Sequence, residues 1–411
     1  MMWNDYLRVL KKGNKIILGN RYNGKWIKIS KECYDILELA VEKGYTDEKL
    51  FGMFEEQEDK IYFQKLLKVL YESEFLVIEQ KRVSSMDVDI AITSRCNLCC
   101  THCCVDADTL RKTDSLTTEE VKAIMRKVVE CTPRSICLTG GEPLVREDFE
   151  ELLKYLQNIY SGEIRLMTNA TLIDEYKAKM LSEIVSAIDI SLDGIDEATC
   201  SKIRGKGVFK KVLNAIELLH HNGFSNISLS MVLTKENYPL KDQFSELNEK
   251  LGTRAVVRAF SPIGRGLKNA TQLAPGEQEK RIEEKIQLSN LAEDYHICCC
   301  GATSKEMYIN YKGDIFPCGL LEREKYVLGN MRQVSDFREF VYEKKYVDTE
   351  GYKNLQLLQP ENHEFCKDCS VNLFCWNCLH YLDLLEGNTS YFEKECHEIQ
   401  KHLEKVIWEE E

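Results

Sequence analysis

Cys96-Asn97-Leu98-Cys99-Cys100-Thr101-His102-Cys103-Cys104 follows directly on the strand-like run Met86 to Ile92. Within it Cys96, Cys100 and Cys103 stand in a CxxxCxxC spacing. In a short loop that spacing lets three thiolates reach three irons of one 4Fe-4S cube, a cluster held by cysteine thiolates. The fourth iron is then left without a protein ligand. A closed tetrahedral zinc site is the competing reading, and it favours four thiolates in paired CxxC units. Disulfides compete less well. The chain opens MMWNDYLRVLKKGNK with no apolar signal-like run, so a reducing, cytoplasmic location is expected. Cys99 and Cys104 lie outside the triad and are expected to be bystanders.

Composition points the same way. A chain of 411 residues implies roughly two to three domains. With 44% hydrophobic and 30% charged residues it can bury real cores and is not disordered. No apolar run approaches the roughly 18 residues of a membrane span, so no membrane partner is expected. A net charge of -12 argues against general nucleic-acid affinity, which draws on clustered Lys and Arg. Eighteen cysteines without a secretory signal read as metal ligation before disulfides.

Residues 1 to 82 read as short strands followed by helices. Tyr6 to Leu10, Lys15 to Leu18 and Lys25 to Ile29 are strand-like, with turn signals at Gly13-Asn14 and Asn23-Gly24. Ser30 is placed to cap a helix running to Lys43, and Gly44 to end it. A second helix begins at Thr46, and a third follows Asp59 with Ile61, Tyr62, Leu66, Leu67, Leu70 and Tyr71 at helical spacing. The order resembles the winged-helix recognition element of enzymes that modify ribosomally made peptides, which binds a leader peptide as an added strand. A DNA-binding winged helix is the rival. This segment carries 15 Lys and Arg against 14 Asp and Glu, which is not the basic face of a DNA reader.

Residues 86 to 285 are expected to form one domain, in which 86 to about 265 alternate strands with helices, the pattern of a parallel α/β barrel. The strand candidates are Met86 to Ile92, Ser135 to Leu138, Glu163 to Met167, Ile188 to Leu192, Asn226 to Leu233 and Arg254 to Val257. Six strands make a partial barrel, a (β/α)6 arrangement. Ligands of such folds gather beyond the C-terminal ends of the strands. The notable motifs all sit there: the cysteine loop, Thr139-Gly140-Gly141-Glu142-Pro143, Thr168-Asn169-Ala170, Ser191-Leu192-Asp193-Gly194 with Arg204-Gly205, and Ser261-Pro262-Ile263-Gly264-Arg265-Gly266. Residues 267 to 296 are charged and expected to be helical.

Taken together, the cysteine triad and these loops resemble the radical S-adenosylmethionine (SAM) superfamily. The resemblance implies that the amino and carboxylate groups of SAM chelate the open iron, and that an electron from the cluster releases a 5'-deoxyadenosyl radical. It makes Cys96, Cys100 and Cys103 the catalytic cluster ligands. It assigns SAM binding to His102, Gly140, Gly141, Glu142 and Pro143, with Ser191 and Asp193 toward the ribose and Arg204 toward the carboxylate. Thr168-Asn169-Ala170 is similar to the family's TNG, with alanine where glycine is usual. The SPIGRG loop receives no role.

Residues 286 to 411 hold Cys300, Gly313-Asp314-Ile315-Phe316-Pro317-Cys318, Cys366-Lys367-Asp368-Cys369, Cys375-Trp376-Asn377-Cys378 and Cys396. This resembles the SPASM extension, which implies two auxiliary 4Fe-4S clusters and so three clusters in all. Carried over by position, Cys366, Cys369, Cys375 and Cys396 hold the outer cluster, and Cys300, Cys318 and Cys378 the inner one. Cys298, Cys299 or an open iron completes the inner set. Structural zinc is the alternative, since such CxxC pairs also suit a zinc ribbon. The resemblance as a whole implies a peptide maturase with a precursor peptide as substrate, a cross-link such as a thioether as product, and an external electron donor such as flavodoxin or ferredoxin. Two other functions compete. One is a sulfatase-type maturase that forms formylglycine, which places an aspartate after an auxiliary cysteine where this chain has Gly319 after Cys318. The other is an iron-sulfur redox sensor that binds DNA.

Overall fold

The computed structural model describes residues 1–79, 86–107, 109–110, 113–274, 296–375, 378–385 and 389–409. The chain packs as two units: Met1–Ser84 with Asn290–Ser304 and Lys353–Glu411, and Ser85–Ser289 with Lys305–Tyr352.

In the first unit β1 (Met2–Trp3) leads into an antiparallel sheet of β2 (Leu7–Lys12), β3 (Lys15–Asn20) and β4 (Trp26–Ser30), in the order β2-β3-β4. Gly13, at φ 59°, closes the two-residue turn between β2 and β3. Ser30 caps α1 (Lys31–Glu42) by accepting from the Cys33 amide at 3.2 Å. Then come α2 (Asp47–Phe51), α3 (Gln57–Glu72) and β5 (Leu76–Val77), which pairs back onto β1.

Side chains alternate across a strand, so this small sheet has two apolar faces. Ile16, Leu18 and Ile29 pack against the helices through Leu37, Leu50, Phe63 and Leu70. Leu10 and Ile17 join a separate core with Ile297, Leu373, Phe374, Ile407 and Trp408. Trp26 meets Phe374 edge-on, with ring centroids 5.3 Å apart. The N-terminal strands therefore cover apolar surface of the C-terminal cysteine segment.

In the second unit the six expected strands are present as β6 (Asp87–Thr93), β7 (Ser135–Gly140), β8 (Glu163–Thr168), β9 (Ala187–Ser191), β10 (Ile227–Leu233) and β11 (Arg254–Ala259). They run parallel in sequential order. The helices between them are α4 (Thr118–Glu130), α5 (Phe149–Ile159), α6 (Glu175–Ile184), α7 (Glu197–Arg204), α8 (Val208–His221) and α9 (Lys241–Leu251). The sheet also extends beyond β6. Strand β12 (Glu306–Ile309) adds in parallel, and β13 (Asp314–Phe316) and β14 (Gly329–Asn330) follow antiparallel. Short helices α10 (Gly264–Lys268) and α11 (Ala270–Leu273) open the charged segment expected to be helical. Its residues 275–295 lie outside the described residues. Among the described residues no helix is long and apolar enough to cross a membrane.

Alternate residues of the parallel strands, such as Val88, Ile90, Ile136, Leu138, Ile188 and Ile190, form the core under the helices. The opposite face is polar. Arg165 pairs with Asp189 at 3.3 Å, Ser228 donates to the same carboxylate, and Arg258 donates to Ser230 at 2.9 Å. Burial pushes Asp89 on this face up to about 6, against the pull of Arg165. Glu306 goes up to about 7, through burial first and then the charges of Asp89 and Asp87. Raised carboxyl values mean that the folded state holds protons which the unfolded chain has released. Stability should therefore fall as pH rises from about 4, where an unperturbed carboxyl titrates, through these values. The Asp89→Asn, Glu306→Gln double variant should flatten that slope in melting experiments between pH 5 and 8. A slope equal to that of the wild type would show that neither carboxyl is protonated in the fold.

Candidate active site

The cysteine loop leaves β6 where its pairing with β7 shifts register between Ala91 and Thr93. The next loop locks onto it through main-chain bonds. The Gly141 amide donates to Thr93 O at 2.9 Å, and the Glu142 amide to Arg95 O at 2.8 Å. A Cβ on Gly140 would stand 2.2 Å from Thr93 O, and one on Gly141 2.3 Å from Arg95 O. The close approach that these glycines allow is thus to the chain's own cysteine loop. Arg95 is fixed in turn by Asp114, with Nη2 2.8 Å from Oδ2.

Glu142 is fully buried. Its carboxylate accepts from the Leu144 amide at 3.1 Å, from the Thr168 hydroxyl at 2.7 Å and from the Asn169 amide at 2.6 Å. Burial raises its pKa while these bonds oppose the rise. Pro143 begins the short turn Pro143–Val145. Ala170, where the resembled motif has glycine, sits at φ 57° and is fully buried. A left-handed alanine costs about 1–2 kcal/mol, which accounts for glycine being the usual residue there.

Asp193, also fully buried, ties three segments together. It accepts from the Val232 amide at 2.7 Å, meets His102 Nε2 at 2.6 Å and pairs with Arg204 Nε at 2.6 Å. Burial alone would raise its pKa, but Arg204 and His102 outweigh this and hold it down at about 2. Ser191 closes β9, half-buried and opposite Ser230. The SPIGRG loop clamps the cysteine loop from another side. Arg265 donates through its amide to Cys103 O at 2.8 Å and through its guanidinium to Cys100 O at 3.1 Å and Ala107 O at 2.6 Å. The motif was visible in the sequence, but its main-chain targets were not.

Each thiol of the triad receives an N–H. Leu98 N lies 3.4 Å from Cys96 Sγ, Ala107 N 3.4 Å from Cys103 Sγ and Arg204 Nη1 3.8 Å from Cys100 Sγ. Asn169 Nδ2 approaches Cys96 Sγ at 3.9 Å. Burial pushes the Cys96 thiol up to about 11 and raises that of Cys100. Thiols so placed release their protons when metal takes them. Cys99 and Cys104 are exposed. Among the described residues no three His, Cys, Asp or Glu side chains gather as a single metal ion would need. A cube's irons occupy separate corners, so the thiolates that hold them do not converge on one point. His102 Nδ1 is buried with no hydrogen-bond partner among the described residues, an open polar position beside the triad. The three thiols, their N–H donors and this open nitrogen suit an iron-sulfur cluster with SAM beside it.

In the first unit Cys366, Cys369, Cys375 and Cys396 influence one another. Burial pushes Cys366 up to about 12, with Cys396 and Cys369 adding to the rise. Cys375 is raised by burial and by Cys298, Cys366, Cys369 and Cys396. Cys299 lies by Gly24 and donates to Ile297 O at 3.5 Å. Of the inner set, Cys300 and Cys378 belong to this unit, while buried Cys318 follows β13 in the other.

Residues 90–242 match the Radical SAM superfamily model, and residues 299–370 match SPASM, the iron-sulfur cluster-binding domain. Mycofactocin maturase MftC of Mycolicibacterium smegmatis is 27% identical over 297 residues, 68% of this chain and 74% of that protein. The AdoMet-dependent heme synthase of Oleidesulfovibrio alaskensis is 26% identical over 325 residues, 70% of this chain and 80% of that protein. Among solved structures, SuiB of Streptococcus suis bound to S-adenosylmethionine superposes with a TM-score of 0.56 at 16% identity, covering 94% of this chain and 97% of that one.

The clamp has a direct test. Gly264 sits at φ 57°, and a Cβ there would stand 2.3 Å from Cys104 O, whereas Gly207, at φ 79°, has nothing within 4 Å of such a Cβ. Gly264→Ala should lower the iron retained after anaerobic reconstitution, and Gly207→Ala should not. Equal iron in both would show that the loop does not depend on this contact. Two matching domain models, a parallel α/β sheet and a cysteine loop locked among the strand-end loops identify the chain as a radical SAM enzyme with a SPASM iron-sulfur domain.

Proposed function

We propose that this enzyme modifies a ribosomally synthesised precursor peptide, abstracting a hydrogen from one residue and leaving a cross-link such as a thioether. The observation that carries this reading is the triad of N–H-bonded thiols set among the GGEP, SLDG and Arg204 loops, in a chain similar to a peptide maturase. When bound, the cluster and SAM supply one-electron cleavage of the sulfonium and a 5'-deoxyadenosyl radical. The chain's own part is to hold and orient. Cys96, Cys100 and Cys103 hold the cluster. His102, Gly140, Gly141, Glu142, Pro143, Ser191, Asp193 and Arg204 shape the SAM site. Cys366, Cys369, Cys375 and Cys396 serve an outer auxiliary cluster, and Cys300, Cys318 and Cys378 an inner one, giving three clusters. Electrons come from a flavodoxin or ferredoxin in a reducing cytoplasm.

A tetrapyrrole substrate is the alternative suggested by the heme synthase relative. The two relatives cover this chain about equally, 70% and 68%, and the N-terminal strand-and-helix unit with its open β4 edge favours the peptide. SuiB has also been solved bound to precursor peptide SuiA.

Residues 1–82 are proposed to bind the leader. Strand β4 is an edge of its sheet, and edges template further strands. On α3, Ile61, Tyr62 and Val69 are exposed, and the Tyr62 hydroxyl lies 3.7 Å from Cys33 at the start of α1, directly after β4. A held leader keeps the core peptide near the radical at an effective concentration on the order of millimolar. Deleting residues 1–82 would strip Leu10, Ile17 and Trp26 from the cysteine segment, so point substitutions are the cleaner test. Ile61→Asp with Val69→Asp should weaken binding of a precursor peptide by roughly tenfold or more, as loss of apolar anchors does. Formation of 5'-deoxyadenosine without peptide should be unchanged. Unaltered peptide binding and modification would rule out this surface as the leader site.

A further inference from the structure

The three thiols of the triad are not equivalent. Cys96 and Cys103 each accept from a main-chain amide, and Cys96 also from the neutral Asn169 side chain. Among the described residues Cys100 alone of the three accepts from a charged donor, Arg204 Nη1 at 3.8 Å. Arg204 is the last residue of α7, and the Thr101 amide donates to Ile203 O at 3.0 Å, so the helix end is pinned to the cysteine loop. The guanidinium is only 8% exposed, and Asp193 holds its Nε at 2.6 Å. Asp193 thus aims one cation at one sulfur. The same carboxylate takes His102 from that loop.

We propose that Arg204 is a positioning residue for electron transfer: its charge-assisted hydrogen bond to the Cys100 sulfur raises the reduction potential of the cluster that the triad holds. This rests on the radical SAM assignment and adds to it a function of Arg204 that needs no SAM. Reduction adds negative charge to a cluster and its sulfurs, so an N–H donor or a cation at a ligand sulfur stabilises the reduced form. A hydrogen bond from an ionised donor is about twice as strong as a neutral one, so the effect should be larger at Cys100 than at Cys96. Lysine cannot reproduce it, because its charge sits on one nitrogen and cannot occupy both the Nε position beside Asp193 and the Nη1 position beside the sulfur.

The test is an anaerobic, EPR-monitored redox titration of the reconstituted full-length chain without SAM. The relevant cluster is identified by the change in its signal when SAM is added to a parallel sample. At a fixed potential, Arg204→Gln should lower the ratio of reduced to oxidised cluster about tenfold, equivalent to 59 mV for one electron. Asn169→Ala should lower it by less. An Arg204→Gln midpoint equal to that of the wild type, with SAM binding alone weakened, would overturn the proposal. Should Arg204→Gln hold no cluster, Arg204→Lys decides: a severalfold fall in the ratio supports the proposal, and a wild-type midpoint overturns it. A wild-type chain with no SAM-responsive cluster would instead overturn the underlying radical SAM reading.

Discussion

The buried carboxylate of Asp193 is the constraint on which the site depends. A fully desolvated anion is costly unless it is paired and hydrogen-bonded. Here its partners come from the cysteine loop, the end of α7 and strand β10. No one of the three can shift without leaving charge or a donor unmatched. Glu142 plays a comparable part nearer β7 and β8, gathering the amides of Leu144 and Asn169 and the hydroxyl of Thr168. Two buried acids thus join the loops after β6, β7, β8 and β9 and strand β10 into one frame, and the thiols hang from it. Such a frame suits chemistry in which a reactive group must be generated at a fixed point and shielded from water.

The first unit shows a different economy. One three-stranded sheet serves two cores, with Ile16 and Leu18 facing its helices and Leu10 and Ile17 facing the cysteine-bearing C-terminal segment. Hydrogen bonds also tie that segment down, as Trp408 donates to Ser370 O at 3.0 Å and Lys15 to Trp408 O at 3.2 Å. Trp26 of the edge strand β4 meets Phe374 of that segment, so the edge strand itself packs on the cysteine-bearing segment.

Much of this was legible in the sequence because local signals are strong. Strand-like runs alternating with helices marked the six barrel strands, helical spacing marked the N-terminal helix after Asp59, and Ser30, Gly13 and Gly44 marked turns and helix ends. The cysteine triad and its neighbouring loops marked the chemistry. Long-range pairing was less visible. Strands β12 to β14 join the barrel sheet across some 200 residues of chain from β6, and no local pattern announces such a partner. Gly140 and Gly141 read as SAM-binding positions; that an added Cβ there would meet Thr93 and Arg95 is visible only in the structure. Arg204 read as a partner for the SAM carboxylate. Its contacts with Asp193 and Cys100 emerge only once α7 is laid against the cysteine loop.

We propose that Cys96, Cys100 and Cys103 hold the cluster that cleaves SAM, while Cys99 and Cys104 beside them do not. The most direct measurement is 5'-deoxyadenosine formed by the reconstituted enzyme with dithionite, compared across single cysteine substitutions. Cys100→Ala should form none, and Cys99→Ala and Cys104→Ala should stay near the wild-type rate. An essential Cys99 with a dispensable Cys100 would contradict it.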